Sequence, residues 1–312
     1  VSRRAAEGRH LALFALMSTI WGTTFVAIQV GVTQVPPMQF AGTRFVAAGL
    51  ALGAWVWWRF RRLRLTRADL RALATAAVVV IVGCYAPLFW GLQGVPSGFA
   101  AIVNQGMSPL ALFLFGWWFG AERASWRRAA GLGMGLAGLA MMFQPSWAGV
   151  ADAAAVSWPH LAAIVAGTLS YCLGSVLVGP TLATRPPTDV AAVTMTVGGL
   201  LLLALAPLFE PIGPAPGARP DGWAAALAAW LYLVLLGSLV AFTIYLGLIR
   251  AWGPFGAGLY NFVSPVIAAA VGVSLFDERL TPTQIVGAVT LLAASALVIR
   301  RARSKSEETP SP

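Results

Sequence analysis

Charge is scarce in this sequence. Only 10% of its 312 residues are Asp, Glu, Lys or Arg, and just 11 are acidic. A soluble chain of this length needs far more charge to cover its exposed face, so a soluble globular domain is excluded. Cysteine and histidine are nearly absent, with two of each. Cys84 and Cys172 both fall in apolar runs, which gives no disulfide framework and suits packing better than metal ligation. His10 and His160 stand at the edges of such runs. The apolar runs are read as containing no Asp or Glu, so an intramembrane enzyme would lack paired carboxylates, a nucleophile with its base, and a metal cluster. The chain is therefore expected not to be an enzyme and to use no cofactor and no metal.

What is present is hydrophobic: 58% of the residues, with a mean hydropathy of +0.77. A helix needs about 20 apolar residues to cross a hydrocarbon core about 30 Å thick. Runs between breaks of charge, Pro and Gly predict ten spans, near 11–31, 38–58, 71–93, 97–119, 127–144, 159–179, 188–209, 223–248, 255–275 and 283–300. Backbone in lipid must satisfy its own hydrogen bonds, so the fold class expected is an all-α integral membrane protein. The first run follows Arg3, Arg4 and Arg9 as a signal peptide would, but its length and the lack of a small-residue cleavage site predict a retained helix.

The net charge of +10 sits in short arginine clusters beside the runs, as expected for helix anchors in an anionic bilayer and not for a nucleic-acid surface. Assigning loops to alternate sides places 18 Lys and Arg on one side and only Arg219 and Arg279 on the other, with Arg44 inside a span. That asymmetry predicts that both termini are cytoplasmic, and the expected place is a bacterial inner membrane, crossed many times. The polar tail after Lys305 is expected to be disordered.

The two halves repeat. At an offset of 150, Pro36, Pro37, Ala41, Gly49, Leu50 and Leu52 match Pro186, Pro187, Ala191, Gly199, Leu200 and Leu202. At an offset of 156, Ser108, Pro109, Glu122, Arg123 and Gly131 match Ser264, Pro265, Glu278, Arg279 and Gly287. Leu and Ala identities are cheap in apolar segments, but a Ser-Pro followed thirteen residues later by Glu-Arg, twice, is not. Each half holds five expected spans, an odd number, so the second half must enter the membrane inverted. Charge agrees: Arg127 and Arg128 lie on the cytoplasmic side, while their counterparts Thr283 and Gln284 carry none. Inverted repeats are common in secondary transporters that rock about a site near the midplane.

These residues resemble the drug/metabolite transporter superfamily, in particular its EamA-type members with two five-helix repeats. The resemblance rests on Trp21-Gly22-Thr23-Thr24-Phe25-Val26, on Pro36-Pro37 with Arg44, and on Tyr245-Leu246-Gly247-Leu248 through Ser264-Pro265 to Asp277-Glu278-Arg279-Leu280-Thr281 and Gly287. It covers roughly residues 11 to 300. The look is similar to the aromatic amino-acid exporter group, although no single motif carries that point. The implied organisation is a cytoplasmic N-terminus at 1–10, a first repeat at 11–144, an external linker at 145–158, a second inverted repeat at 159–300 and a cytoplasmic tail at 301–312, with the two repeats around a central cavity. One departure is that Thr194 stands where the first repeat has Arg44, so any role of Arg44 belongs to one half.

Candidate site residues follow from helix breaks and buried polarity. Pro109 and Pro265 each free the carbonyl four residues earlier, at Gln105 and Asn261, and those residues also bring amide side chains. With Asn104, Ser108 and Ser264 they could hold a substrate ammonium without any acid, or they could merely glue helices together. Arg44 could snorkel or pack, or could meet a substrate carboxylate and act as a gate. Trp21, Tyr85, Trp90, Tyr171, Tyr245 and Tyr260 lie within spans, several of them among the first, third, fourth, sixth, eighth and ninth, which the resemblance implies line the cavity. Stacking on a substrate and plain packing are both open to them. Trp55, Trp57, Trp58, Trp117, Trp118, Trp147, Trp158 and Trp223 fall at span ends as interfacial belts. Glu122 and Glu278 could pair with Arg123 and Arg279, or cap the following helices near Arg128 and Thr281. Gly131, Gly135 and Gly138 form a small-residue face for packing within the chain or for a homodimer.

The expected function is export of small metabolites, neutral or aromatic amino acids foremost, by alternating access and without an ion gradient, since no intramembrane carboxylate is there to carry one. The alternatives are a multidrug or other metabolite exporter of the same fold, then a channel or an intramembrane enzyme. The expected partners are that small molecule, the lipid bilayer and possibly a second copy. The topology is directly testable. In a background lacking Cys84 and Cys172, a cysteine at position 283 should react with an impermeant thiol reagent from the periplasm and one at position 127 should not; equal labelling from one side would remove the inverted repeat.

Overall fold

The computed structural model describes residues 3–61, 64–95, 97–144, 157–276 and 280–304, which are helices joined by turns and short irregular connections, with no strand among them. Its helices are α1 (Arg3–Val32), α2 (Pro37–Phe60), α3 (Arg67–Gly91), α4 (Ser97–Trp118), α5 (Trp126–Met142), α6 (Trp158–Thr184), α7 (Pro187–Leu208), α8 (Pro220–Gly258), α9 (Tyr260–Phe276) and α10 (Pro282–Ser304). Eight of these, all but α5 and α9, contain a stretch long and apolar enough to cross a membrane. The chain is thus a helical, multi-pass membrane protein. α5 and α9 have 17 residues each. α9 gains an extra turn from its predecessor: the α8 run breaks at Gly253, whose φ of +81° is open to glycine, and Pro254 restarts the helix.

Proline starts both members of one helix pair. Pro36 and Pro186 lie just before α2 and α7, and Pro37 and Pro187 open them with φ already set for helix. α2 and α7 then pack along their length, antiparallel. The Glu210 carboxylate beyond the end of α7 accepts from the first amides of α2, Met38 N at 3.0 Å and Gln39 N at 2.7 Å. At the opposite end Asp189, in the first turn of α7, meets Arg64 just past α2. Glycine allows the approach: a Cβ on Gly199 would lie 2.8 Å from Val46 N and 2.9 Å from the Gly42 carbonyl.

α5 and α10 form a second antiparallel pair. Gly131 faces Val298, Gly138 and Gly287 each face the other's carbonyl, and Gln284 donates to the Met142 carbonyl. Gly135 accommodates the Phe262 ring of α9. The small-residue face of α5 is therefore filled by the chain's own helices.

The remaining contacts match between the halves. α6 packs on α3 and α4, as α1 packs on α8 and α9. α3 and α8 both pass through π-helical stretches, Val78–Val82 and Leu233–Phe242, at equivalent points of the repeat.

One end of the bundle collects the arginine loops, held together by Arg64–Asp189, Arg185–Asp69 and Arg128–Glu122 ion pairs at 2.9, 2.9 and 2.7 Å. Asp189 is a correction to the expectation of spans free of acid: it falls in the expected seventh span and is fully buried, but at the helix start and neutralised by Arg64. Trp55, Trp57, Trp58, Trp117, Trp118, Trp158 and Trp223 are exposed on the outside of the bundle, as belt residues must be. Trp147, Glu278, Arg279, Lys305 and the expected linker up to residue 156 lie outside the described residues.

Candidate functional site

A cavity of about 240 Å³ lies in the middle of the bundle. Its walls come from α1 (Trp21, Thr24, Ile28), α3 and the turn after it (from Val80 and Ile81 on to Leu92), α4 (Asn104, Gln105, Ser108), α6 (Tyr171), α8 (Gly237, Phe242) and α9 (Tyr260, Asn261, Ser264), with Arg44 and Phe45 of α2 as a further side. Both π-helical stretches reach it, through Val80 and Ile81 on one side and Gly237 and Phe242 on the other. Such stretches disturb the regular hydrogen-bond ladder and recur at functional sites. Here one of the carbonyls concerned, that of Gly237, accepts from Trp21 Nε1 at 3.1 Å.

Arg44 is the one cation in the wall, and it is buried instead of snorkelling. Its Nη2 donates to the Tyr85 hydroxyl at 3.3 Å, and its guanidinium lies 4.5 Å from the Phe45 ring centre and 5.8 Å from that of Tyr85. Aromatic faces attract a cation, but far less strongly than a carboxylate does. None of the ion pairs among the described residues includes Arg44, and its buried Nε has no hydrogen-bond partner.

Gln105 is the complementary case. Its side chain is buried, it lines the same cavity, and its Oε1 accepts from nothing. The neighbouring polar groups are already committed. Asn104 Nδ2 donates to Thr168 of α6 at 3.0 Å, Ser108 Oγ to the Asn104 carbonyl at 2.7 Å, Asn261 Nδ2 to the Gly258 carbonyl at 2.9 Å, and Ser264 Oγ to the Ser18 carbonyl at 3.3 Å. The Asn104 amide thus ties two helices together while also facing the cavity.

The aromatic candidates divide. Trp21, Tyr85, Tyr171 and Tyr260 line the cavity, with the Trp21 and Tyr260 rings 4.5 Å apart and the Tyr260 hydroxyl 3.3 Å from that of Tyr171. Tyr245 stands behind them, stacked on Tyr171 at 6.0 Å and bonded to Ser175 at 3.0 Å, so it supports the wall without facing the space. Trp90 is displaced further. It stacks on His160 at 4.3 Å and borders a second cavity of about 250 Å³ that runs toward Pro37, Gln93 and Glu210 and shares Ile28, Phe89 and Leu92 with the first. Pro109 and Pro265 sit inside α4 and α9 and do not line the space themselves. Phe45, Phe89 and Phe242 are wall residues that the sequence reading passed over. The signal for Phe45 was its place beside the lone intramembrane arginine.

Glu122 lies elsewhere, at the arginine-rich end. It pairs with Arg128, not Arg123, and its other oxygen accepts from Phe255 N at 3.2 Å, capping the helix that restarts after Gly253. Burial pushes its carboxyl pKa up, against the pull of Arg128.

A buried guanidinium without a counter-charge costs stability that an apolar side chain would not. Arg44→Met should therefore leave the ligand-free protein equally or more heat-stable in detergent, by about 1 kcal/mol or more in the favourable case. A fall in melting temperature would mean that the Tyr85 and Phe45 contacts repay the buried charge and that Arg44 is structural.

Comparison with known proteins closes the case. The chain is 31% identical over 292 residues to "Uncharacterized inner membrane transporter YedA" of Escherichia coli K12, covering 92% of this chain and 89% of that protein. It is 24% identical over 299 residues to the "Probable amino-acid metabolite efflux pump" of the same strain, with 90% and 91% covered. It is also 25% identical over 276 residues to the "S-adenosylmethionine/S-adenosylhomocysteine transporter" of Chlamydia trachomatis, with 86% and 83% covered. A crystal structure with 20% identity superimposes with a TM-score of 0.76 over 97% of this chain and 99% of its own, which supports the fold. The model of the EamA-like transporter family matches twice, at residues 9–144 and again at 158–300. With both halves matched and a bundle of apolar helices around a central cavity, the chain belongs to the EamA-like transporter family, within the drug/metabolite transporter superfamily.

Proposed function

We propose that this chain exports neutral or aromatic amino acids across the bacterial inner membrane, binding them in the central cavity. One observation carries the reading: an unpaired cation, Arg44, and an unpaired buried acceptor, Gln105 Oε1, line the same aromatic-walled space. An amino acid supplies what each lacks, its carboxylate for the guanidinium and its ammonium for the amide oxygen. Trp21, Tyr85, Tyr171 and Tyr260 offer ring faces to its side chain. Asn104, Ser108, Asn261 and Ser264 complete the polar side, Tyr245 backs it, and Trp90 lines the way toward the opposite end from the arginine loops. Pro109 and Pro265, inside the continuous helices α4 and α9, each remove one backbone hydrogen bond and give those helices a point at which to bend as the walls move.

Alternating access follows from the inverted repeat. The two family matches, the antiparallel α2–α7 and α5–α10 pairs and the paired π-helical stretches all favour ten spans arranged as two inverted sets of five. With the arginine loops cytoplasmic, both termini are too. Wall residues include no carboxylate to carry a proton or sodium ion, which favours facilitated movement down the substrate gradient. A second reading, a larger amino-acid conjugate of the kind named for the chlamydial relative, is favoured by the adjoining cavity, which would extend the binding space.

In liposomes the purified protein should move a neutral amino acid down its gradient with no pH or sodium gradient imposed. Gln105→Ala should weaken binding about five- to thirty-fold, the scale of one hydrogen bond to a charged group. Strict dependence on an ion gradient, or unchanged affinity in Gln105→Ala, would rule this reading out.

A further inference from the structure

A second region of the molecule holds a cavity of about 380 Å³, well away from the central one. It lies at the arginine-rich end, between the turn leading into α5 (Ala121 to Arg128), the break at the end of α8 (Ala251, Trp252, Phe255) and the last turns of α10 (Leu297, Val298, Ile299). It shares no wall residue with the central cavity.

Its two sides differ in chemistry. One is basic: Arg123, Arg127 and Arg128 against a single acid, Glu122. Glu122 is already spent, on Arg128 at 2.7 Å and on the Phe255 amide. Arg123 and Arg127 are exposed and enter no ion pair among the described residues, and Arg127 lies 5.4 Å from the ring of the exposed Trp126. The other side is apolar, with Trp252, Phe255, Leu259 and the α10 residues. A soluble anion would use the arginines and leave that wall wet. A molecule with an anionic head and a hydrocarbon tail uses both, and the bilayer supplies it at the depth where the tryptophan sits.

We propose that this cavity is a binding site for an anionic phospholipid, its phosphate held by Arg123 and Arg127 and an acyl chain lying along Leu297, Val298 and Ile299. The bound lipid bridges the start of α5, the end of α10 and the turn that Glu122 caps. It thereby ties together elements from both family-matched segments.

The test uses the delipidated full chain in detergent, with native mass spectrometry for occupancy and thermal melting for consequence. Phosphatidylglycerol should bind in preference to phosphatidylcholine and raise the melting temperature, while soluble glycerol 3-phosphate should do neither. Arg123→Gln with Arg127→Gln should weaken phosphatidylglycerol binding by about five-fold per arginine removed. Arg59→Gln with Arg61→Gln, an equal loss of charge at another loop, should leave it unchanged. Equal binding of phosphatidylcholine would overturn the proposal, as would displacement of the lipid by glycerol 3-phosphate or an equal loss in the Arg59 and Arg61 variant. If the double variant does not fold, the single Arg127→Gln and the lipid preference of the unmodified protein decide the matter in the same terms.

Discussion

Hydrocarbon offers no hydrogen bond, and the rest of this structure follows from that. Every backbone amide must be satisfied within its own helix, so the described residues contain helices and turns but no strand. Polar side chains face the same demand. Most meet it locally: Thr194 bonds the carbonyl one turn back, Asn104 reaches Thr168, and Asp189 takes Arg64. Arg44 and Gln105 are left with buried atoms that meet nothing. The hydroxyls of Ser18, Thr243 and Ser295 are orphaned as well, away from the central cavity, whereas Arg44 and Gln105 both lie on its wall.

Duplication builds the frame and then departs from it. Close glycine contacts join α2 to α7 and α5 to α10, each helix meeting its own counterpart. The cavity is not symmetric, because the first half contributes Arg44 where the second has a self-satisfied Thr194, and Gln105 where the second has Asn261 bonded to the Gly258 carbonyl at the end of α8. A symmetric frame can rock between two equivalent shapes, while an asymmetric wall can hold a molecule with distinct ends.

Much of the fold was legible in the sequence because lipid imposes a simple rule on length and polarity. The apolar runs, the proline starts at Pro37 and Pro187 and the gap before Pro254 all correspond to helix boundaries. The π-helical stretches were not legible, since Val78–Val82 and Leu233–Phe242 are apolar runs with nothing to mark their winding. Nor could sequence separate Tyr260, on the wall, from Tyr245, one layer behind it. In a soluble helix the polar face reveals the direction of the core, but a membrane helix is apolar all round. Arg44 looked able to snorkel from its height in the span. Its burial depends on Tyr85, which lies 41 residues away in sequence.

The central claim is that the cavity recognises both charged ends of an amino acid, and binding of end-modified analogues tests it most directly. Calorimetric titration of the purified protein should compare one aromatic amino acid with its methyl ester, which has no carboxylate, and with its N-acetyl form, which has no ammonium. Each modification should weaken binding by about ten-fold or more, as expected when a buried charged group loses its partner. Equal affinity for all three would show that Arg44 and Gln105 do not hold the two ends, and the account of the cavity would fail.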